Sequence, residues 1–221
     1  MDYKIWTVYH NDALVGQYNL KEDEHRKLFA THKDIEGENI NYLNPCWSEL
    51  VALWYVWKNK KKSSFVGFDH YRRQFGNVHV FKKGWCQVFN VLEFGAESVY
   101  SQYSIWHKKE DLDLALEIVD EKCGKDNWIR KEIETGHRMI GNCCFFMSWE
   151  DFNNMCEFLF PVLEEYQKRV LPESEDIVEA WRKKAVEDFG EGRATYQMRN
   201  IGFIAERLIS AWIFTHLKVD V

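Results

Sequence analysis

No stretch of this 221-residue chain approaches the ~20 consecutive apolar residues that a membrane-crossing helix requires. Its first residues, MDYKIWTVYH, lack the basic start and apolar centre of a secretory signal. The chain therefore reads as soluble and cytoplasmic, with any attachment to the inner face of the cell membrane peripheral. No CxxC pair and no cysteine–histidine finger spacing occurs among Cys46, Cys86, Cys123, Cys143, Cys144 and Cys156, which read as reduced, buried small hydrophobes. HExxH, Walker A and GxGxxG motifs are missing too, which argues against zincin, P-loop and classical dinucleotide enzymes. Positive charge is in deficit: a net charge of −6 does not indicate a nucleic-acid surface, although a local basic site remains open.

What the chain has is aromatic content, 16%, which favours a folded protein with aromatic-lined clefts. Its length suits one domain, residues 1–221, large enough to bury a core without metal or disulfide staples. The stretch from Gly37 to Phe75 is the most informative. Asn44-Pro45 reads as a helix start, with Asn44 as N-cap and Pro45 at the first helical position. Trp47, Leu50, Val51, Trp54 and Trp57 follow at helical spacing, and Lys58, Lys60, Lys61 and Lys62 gather where cations suit the helix dipole. Phe65-Val66-Gly67-Phe68 is consistent with an inner strand. Directly after it come Asp69, His70, Tyr71, Arg72 and Arg73. Open α/β sheets bind ligands beyond the carboxyl ends of their strands, and paired guanidiniums suit phosphate. Asp69 and His70 could hold a divalent metal or move a proton. The plainer alternative is a solvated arginine loop with His70 and Tyr71 packed as amphipathic side chains.

Elsewhere, Tyr3 to His10 has strand composition, and His10, Asn11 and Asp12 lie at its end, where a nucleotide commonly lies across a sheet. Val78–Phe81 and Val88–Phe94 read as strands. A helix from about Lys108 to Cys123 buries Leu112, Ala115, Leu116 and Val119. Just before it, Gln102, Tyr103 and His107 suit stacking on a sugar and bonding its hydroxyls, or else are a structural tyrosine and an exposed helix-start histidine. Cys143–Met147 reads as a buried strand entered through Gly141-Asn142, where backbone could approach a ligand. Ser148-x-x-Asp151 caps the next helix, which Pro161 should kink or end. Residues 164–193, broken at Pro172, Gly190 and Gly192, read as a solvated helix with loops and a candidate mobile surface segment. The last helix, from Arg199 to Trp212, has a core stripe of Ile201, Ala205, Leu208 and Trp212 interrupted by Glu206-Arg207. Glu206 is a candidate general base, or the partner of Arg72 or Arg73 in a structural ion pair.

The pattern GENI…NP…EL…YVWKN…VGFDHYRRQF resembles a bacterial glycosyltransferase family long carried as domain of unknown function 4422 and found in capsule, O-antigen and exopolysaccharide clusters. Gly37, Asn39, Ile40, Asn44, Glu49, Leu50, Trp57, Lys58, Asn59, Gly67, His70, Tyr71, Arg72, Arg73 and Phe75 match its signature. Gln102, Tyr103, His107 and Asn142 match further on, as do Arg199, Gly202, Phe203, Glu206, Arg207 and Leu208. The resemblance implies a glycosyltransferase A-like α/β domain, with a mixed, mainly parallel sheet flanked by helices. It implies transfer of a hexose, galactofuranose or galactopyranose, from a UDP-sugar to a growing surface polysaccharide or glycolipid. Association with other polysaccharide-assembly enzymes is compatible with it. The rival reading is a non-catalytic nucleotide-sugar or glycan-binding module. Catalysis is expected from Glu206, Asp69 and His70, and donor phosphate binding from His10, Arg72, Arg73 and Arg207. Tyr71, Gln102, Tyr103, His107 and Asn142 are expected to hold the acceptor sugar. Related folds use an Asp-x-Asp pair for Mn²⁺ or Mg²⁺; here Asp69 has Tyr71 in the second place, so metal-independent chemistry with no cofactor is favoured.

Overall fold

The chain alternates β-branched and aromatic runs with amphipathic segments, and the computed structural model turns this into a sheet packed between helices. It describes residues 1–171 and 174–221; Pro172, read as a break, lies outside them. The strands are β1 (Tyr3–Tyr9), β2 (Arg26–Ala30), β3 (Phe65–His70), β4 (Trp85–Val88), β5 (Val91–Glu93), β6 (Arg138–Ile140), β7 (Phe145–Ser148) and β8 (Lys218–Asp220). The helices are α1 (Ala13–Gln17), α2 (Asn44–Trp47), α3 (Leu50–Lys58), α4 (Val99–Trp106), α5 (Lys109–Cys123), α6 (Trp128–Thr135), α7 (Trp149–Val170), α8 (Ile177–Phe189), α9 (Glu191–Gln197) and α10 (Asn200–His216). The main sheet runs β2-β1-β3-β7-β4-β8; β1 pairs in parallel with β2 and β3, as β4 does with β8, and β7 is antiparallel to both neighbours. This is the expected mixed, mainly parallel α/β architecture.

Strand alternation sorts β3 into two faces. Val66 and Phe68 join the main core with α3, α5, α7 and α10, while Ile5, Phe75, Val78 and Phe146 pack the opposite face. Each fully buried aromatic contributes roughly 1.5–3 kcal/mol. Gly67 has a packing reason: a Cβ there would lie 2.8 Å from Phe146 Cδ2. Ser148 caps α7 as expected, accepting from Asp151 N at 3.2 Å while its hydroxyl donates to Asp151 Oδ2.

Several expectations are corrected. The helix from Asn44 is two pieces: Ser48 adopts φ 52°, ψ −135° between α2 and α3, and Asn44 is itself helical, with Leu43 at the cap. Pro161 does not end its helix, because α7 buries Leu159, Phe160, Val162 and Leu163 around it, which outweighs the ~3 kcal/mol helix penalty. Val78–Phe81 is not a strand; Val78 and Val80 are buried, but the His79 amide donates to Gln87 Oε1 at 2.9 Å instead of to a ladder. The segment Val88–Phe94 divides between β4 and β5, and β5 pairs with β6 in a separate ribbon. Cys143 precedes β7, and both Asn142 and Cys143 have positive φ. Residues 164–193 are not simply solvated: Trp181 of α8 is 1% exposed and stacks on Tyr166. Of the six cysteines, all free, only Cys123 is exposed.

Candidate active site

Because β1 and β3 are parallel neighbours with Val8 opposite His70, their carboxyl ends deliver His10 and Tyr71 side by side. Their rings lie 5.3 Å apart, and the Arg72 guanidinium sits 5.2 Å from the Tyr71 ring. These residues, with Ser48, Glu49, Asn142, Met198 and Arg199, border a chamber of about 500 Å³. A second chamber of about 540 Å³ is bordered by Gln102, Trp106 and His107, by Asn142, and by Tyr196, Phe203, Glu206 and Arg207. Ser48, Glu49, Arg72, Asn142 and Arg199 line both, so the chambers meet at a neck that carries two guanidiniums and a carboxylate.

The electrostatics of the neck follow from burial. Glu206 is pushed up to about 7 by desolvation, with Glu49 adding to the rise and Arg207 opposing it. Burial likewise raises Glu49 against the pull of Arg199, Arg72 and Arg73. His70 is lowered to about 3 by burial and by Arg72 and Arg73, so it is neutral. Its Nε2 lies 3.4 Å from Glu49 Oε1. His10 is lowered by burial and by Arg199 and Arg72. Glu206 accepts from the Asn142 amide at 3.1 Å, a contact the left-handed backbone of Asn142 creates. Such a carboxylate can take a proton near neutral pH, and the guanidiniums can neutralise an anion.

The expected site residues divide by position. His10, His70, Tyr71 and Arg72 meet at the first chamber. Gln102, His107, Glu206 and Arg207 meet at the second, and Asn142 borders both. Tyr71, expected with the acceptor group, thus lies among residues expected at the donor, His10 and Arg72. Arg207, expected with the donor phosphates, lies beside Gln102, to whose Oε1 it donates at 2.6 Å. It is 3% exposed, and burial lowers its pKa. Tyr103 is fully buried behind Arg207 and donates to Asn200 Oδ1 at 2.8 Å. His107, lowered to about 4 by burial, bonds Gln197 Oε1 through Nδ1 at 2.9 Å.

Asp69 and Arg73 stand apart. One residue before His70 on β3, Asp69 faces the other side of the sheet, where Arg26 Nη1 lies 2.7 Å from Oδ2 and the Phe75 amide donates to the same oxygen at 2.9 Å. Burial raises its pKa against the Arg26 charge. Arg73 borders neither chamber, since consecutive side chains in the turn point apart, and its Nη1 is buried without a partner among the described residues. Its charge still reaches Glu49, His70 and Glu206. The ion pair expected between Glu206 and Arg72 or Arg73 is replaced by one to Arg207 at 3.4 Å.

Glu49 and Arg199 match the signature without an expected role, and both belong to the neck. The signal for Glu49 lies in the sequence: it is the lone residue charged at neutral pH in CWSELVALWYVW. An acid there must face a polar partner or a cavity.

Fold and cleft together define an α/β protein with a two-chambered cleft at the carboxyl ends of parallel strands. The family described as domain of unknown function (DUF4422) matches residues 6–94 and 88–217, and the chain belongs to it. Among solved structures, the apo form of the WbbM bifunctional glycosyltransferase is similar, with a TM-score of 0.73 and 19% identity over 100% of this chain. The likeness is one of fold, and this chain spans 44% of the length of that one. No curated protein matches.

Proposed function

We propose that the protein is a glycosyltransferase that moves a hexose, galactofuranose or galactopyranose, from a UDP-sugar to a glycan or lipid-linked glycan of a surface polysaccharide. The observation that carries this reading is the neck: two chambers of ligand size sharing a wall with Arg72, Arg199 and Glu49, and Glu206 on the second side. The fold likeness to a glycosyltransferase supports it. In this reading the donor diphosphate lies in the first chamber and the acceptor in the second. Glu206 takes the proton of the attacking hydroxyl, the new bond forms at C1, and the C1–O bond to the diphosphate breaks. The negative charge leaves on UDP, facing Arg72 and Arg199. His70 and His10, both neutral, are hydrogen-bonding groups here rather than cations.

Asp69 does not fit a metal role, because its carboxylate is buried on the far side of the sheet from both chambers, with Oδ2 tied to Arg26 and the Phe75 amide. No step is therefore routed through a metal. Thermal-shift titration with UDP and UDP-hexoses tests the reading. UDP should stabilise the wild type and fail to stabilise Arg72→Ala, and Glu206→Ala should keep the UDP shift. Equal shifts for wild type and Arg72→Ala would remove the phosphate assignment. Slow donor hydrolysis separates the enzyme from a non-catalytic binding module, which would show none.

A further inference from the structure

Two large aromatic side chains at the mouth of the second chamber have no part in the chemistry above. Trp106 is 59% exposed and Tyr196 is 55% exposed, and both border that chamber. Neither is loose. The Trp106 carbonyl accepts from Arg193 Nη2 at 3.0 Å and from Gln197 Nε2 at 2.9 Å, so α9 fixes the end of α4 while the indole stays in solvent. The Tyr196 ring packs 4.9 Å from Phe203 and is nearly parallel to His107 at 6.3 Å. Phe203 in turn stacks on His107 at 4.1 Å. The result is a packed bank of rings, Tyr196, Phe203 and His107, with the indole of Trp106 exposed beside it, on a chamber that polar Gln102, Asn142, Glu206 and Arg207 also line.

Exposed aromatics rimming a cleft mark a binding surface when their geometry is fixed, since burying them against a ligand costs little conformational entropy. Sugar rings match this rim: their C–H faces cover aromatic surface while their hydroxyls need the polar partners that Asn142, Glu206 and neutral His107 supply behind it. A lipid tail would want continuous apolar lining, which Arg72, Arg199, Glu206 and Arg207 interrupt in this chamber.

We propose that Trp106 and Tyr196 form a stacking subsite for the sugar unit beside the one that reacts, so that the acceptor is an oligosaccharide or polysaccharide rather than a single sugar. This rests on reading the second chamber as the carbohydrate side. The test uses calorimetry and saturation-transfer NMR with the full chain in the presence of UDP. The probes are methyl hexosides and a panel of neutral hexose oligosaccharides of increasing length. Oligosaccharides should bind more tightly than single hexosides. Trp106→Ala and Tyr196→Ala should each weaken them at least about tenfold, a difference of ~1.4 kcal/mol. Trp106→Phe should restore most of the affinity. Trp128→Ala should bind as the wild type does, because Trp128, although 67% exposed, borders neither chamber. Retained circular dichroism in each variant keeps a loss of binding from being a loss of fold. The proposal is overturned if no oligosaccharide binds the wild type, if both alanine variants bind undiminished, or if chain length makes no difference. It is equally overturned if Trp106→Ala instead releases the protein from phosphatidylglycerol vesicles while no glycan binds. A wild type that ignores UDP but binds glycans through Trp106 would sink the donor assignment and leave the subsite standing.

Discussion

Glu206 sits where burial and charge pull in opposite directions, and its pH behaviour follows from which wins. Desolvation outweighs Arg207 and lifts the carboxyl from 4.5 to about 7. The ionised form, the one able to accept a proton, therefore grows as pH rises through about 7. In the transferase reading, kcat/KM should climb through that pH and level off above it. Glu206→Gln should lower the rate by about 10²–10⁴-fold and lose the rising limb. A pH–rate profile of the variant that keeps the same limb would assign the titration elsewhere, Glu49 being the neighbour in position to take it. The same shift bears on stability with the opposite slope. A carboxyl raised in the folded state favours folding most below 4.5, and that contribution, on the order of 3 kcal/mol, is lost as pH climbs from 4.5 to about 7. At this scale the sequence revealed Glu206 and the histidines by type, but not their neighbours. Whether Asp69 faced the cleft or Arg26 was a matter of one position on β3.

The elements show the same division between local and distant causes. Strand β1, helix α5 and the Ser148 cap were legible because composition, 3.6-residue periodicity and a three-residue cap are local signals. The break at Ser48 was not, because what meets it is α10, roughly 150 residues later in sequence: a Cβ on Gly202 would lie 3.1 Å from Ser48 Oγ. The break puts Glu49 at the cap of α3 and brings that carboxyl to the neck. Ser48 holds a backbone conformation suited to glycine, at a strain of about 1–3 kcal/mol. Ser48→Gly should therefore raise stability by about 1 kcal/mol in urea unfolding, after the extra chain entropy of glycine is subtracted. A loss of stability would mean that the hydroxyl contact matters more than the backbone. On β3 the expectation reverses. Gly67→Ala pushes a methyl into Phe146 and should destabilise by about 1–3 kcal/mol through overpacking.

For the molecule as a whole, the cleft draws on both ends of the chain. The first chamber takes His10 from near the start, His70 and Arg72 from the middle, and Met198 and Arg199 from the last fifth. Motif matching identified most of these residues singly. Their division into two chambers could not be read, because it depends on sheet order and on where α10 crosses the neck. The overall charge is −6, yet the neck concentrates Arg72 and Arg199, with Arg73 behind them. In the proposed reaction the charge of the departing diphosphate is met by these guanidiniums, since the carboxylate best placed in sequence to carry a metal is tied to Arg26 across the sheet. Two outcomes follow for donor hydrolysis or transfer. Excess EDTA should leave the rate within about twofold of the untreated enzyme, whereas loss restored by Mn²⁺ would overturn the guanidinium account. Raising NaCl from low to physiological ionic strength, where the screening length falls from ~30 Å at 0.01 M to ~8 Å, should raise the donor KM while affecting kcat less. Arg199→Ala should flatten that salt response, because it removes one of the two charges on which donor capture depends. An unchanged response would shift the burden to Arg72 alone.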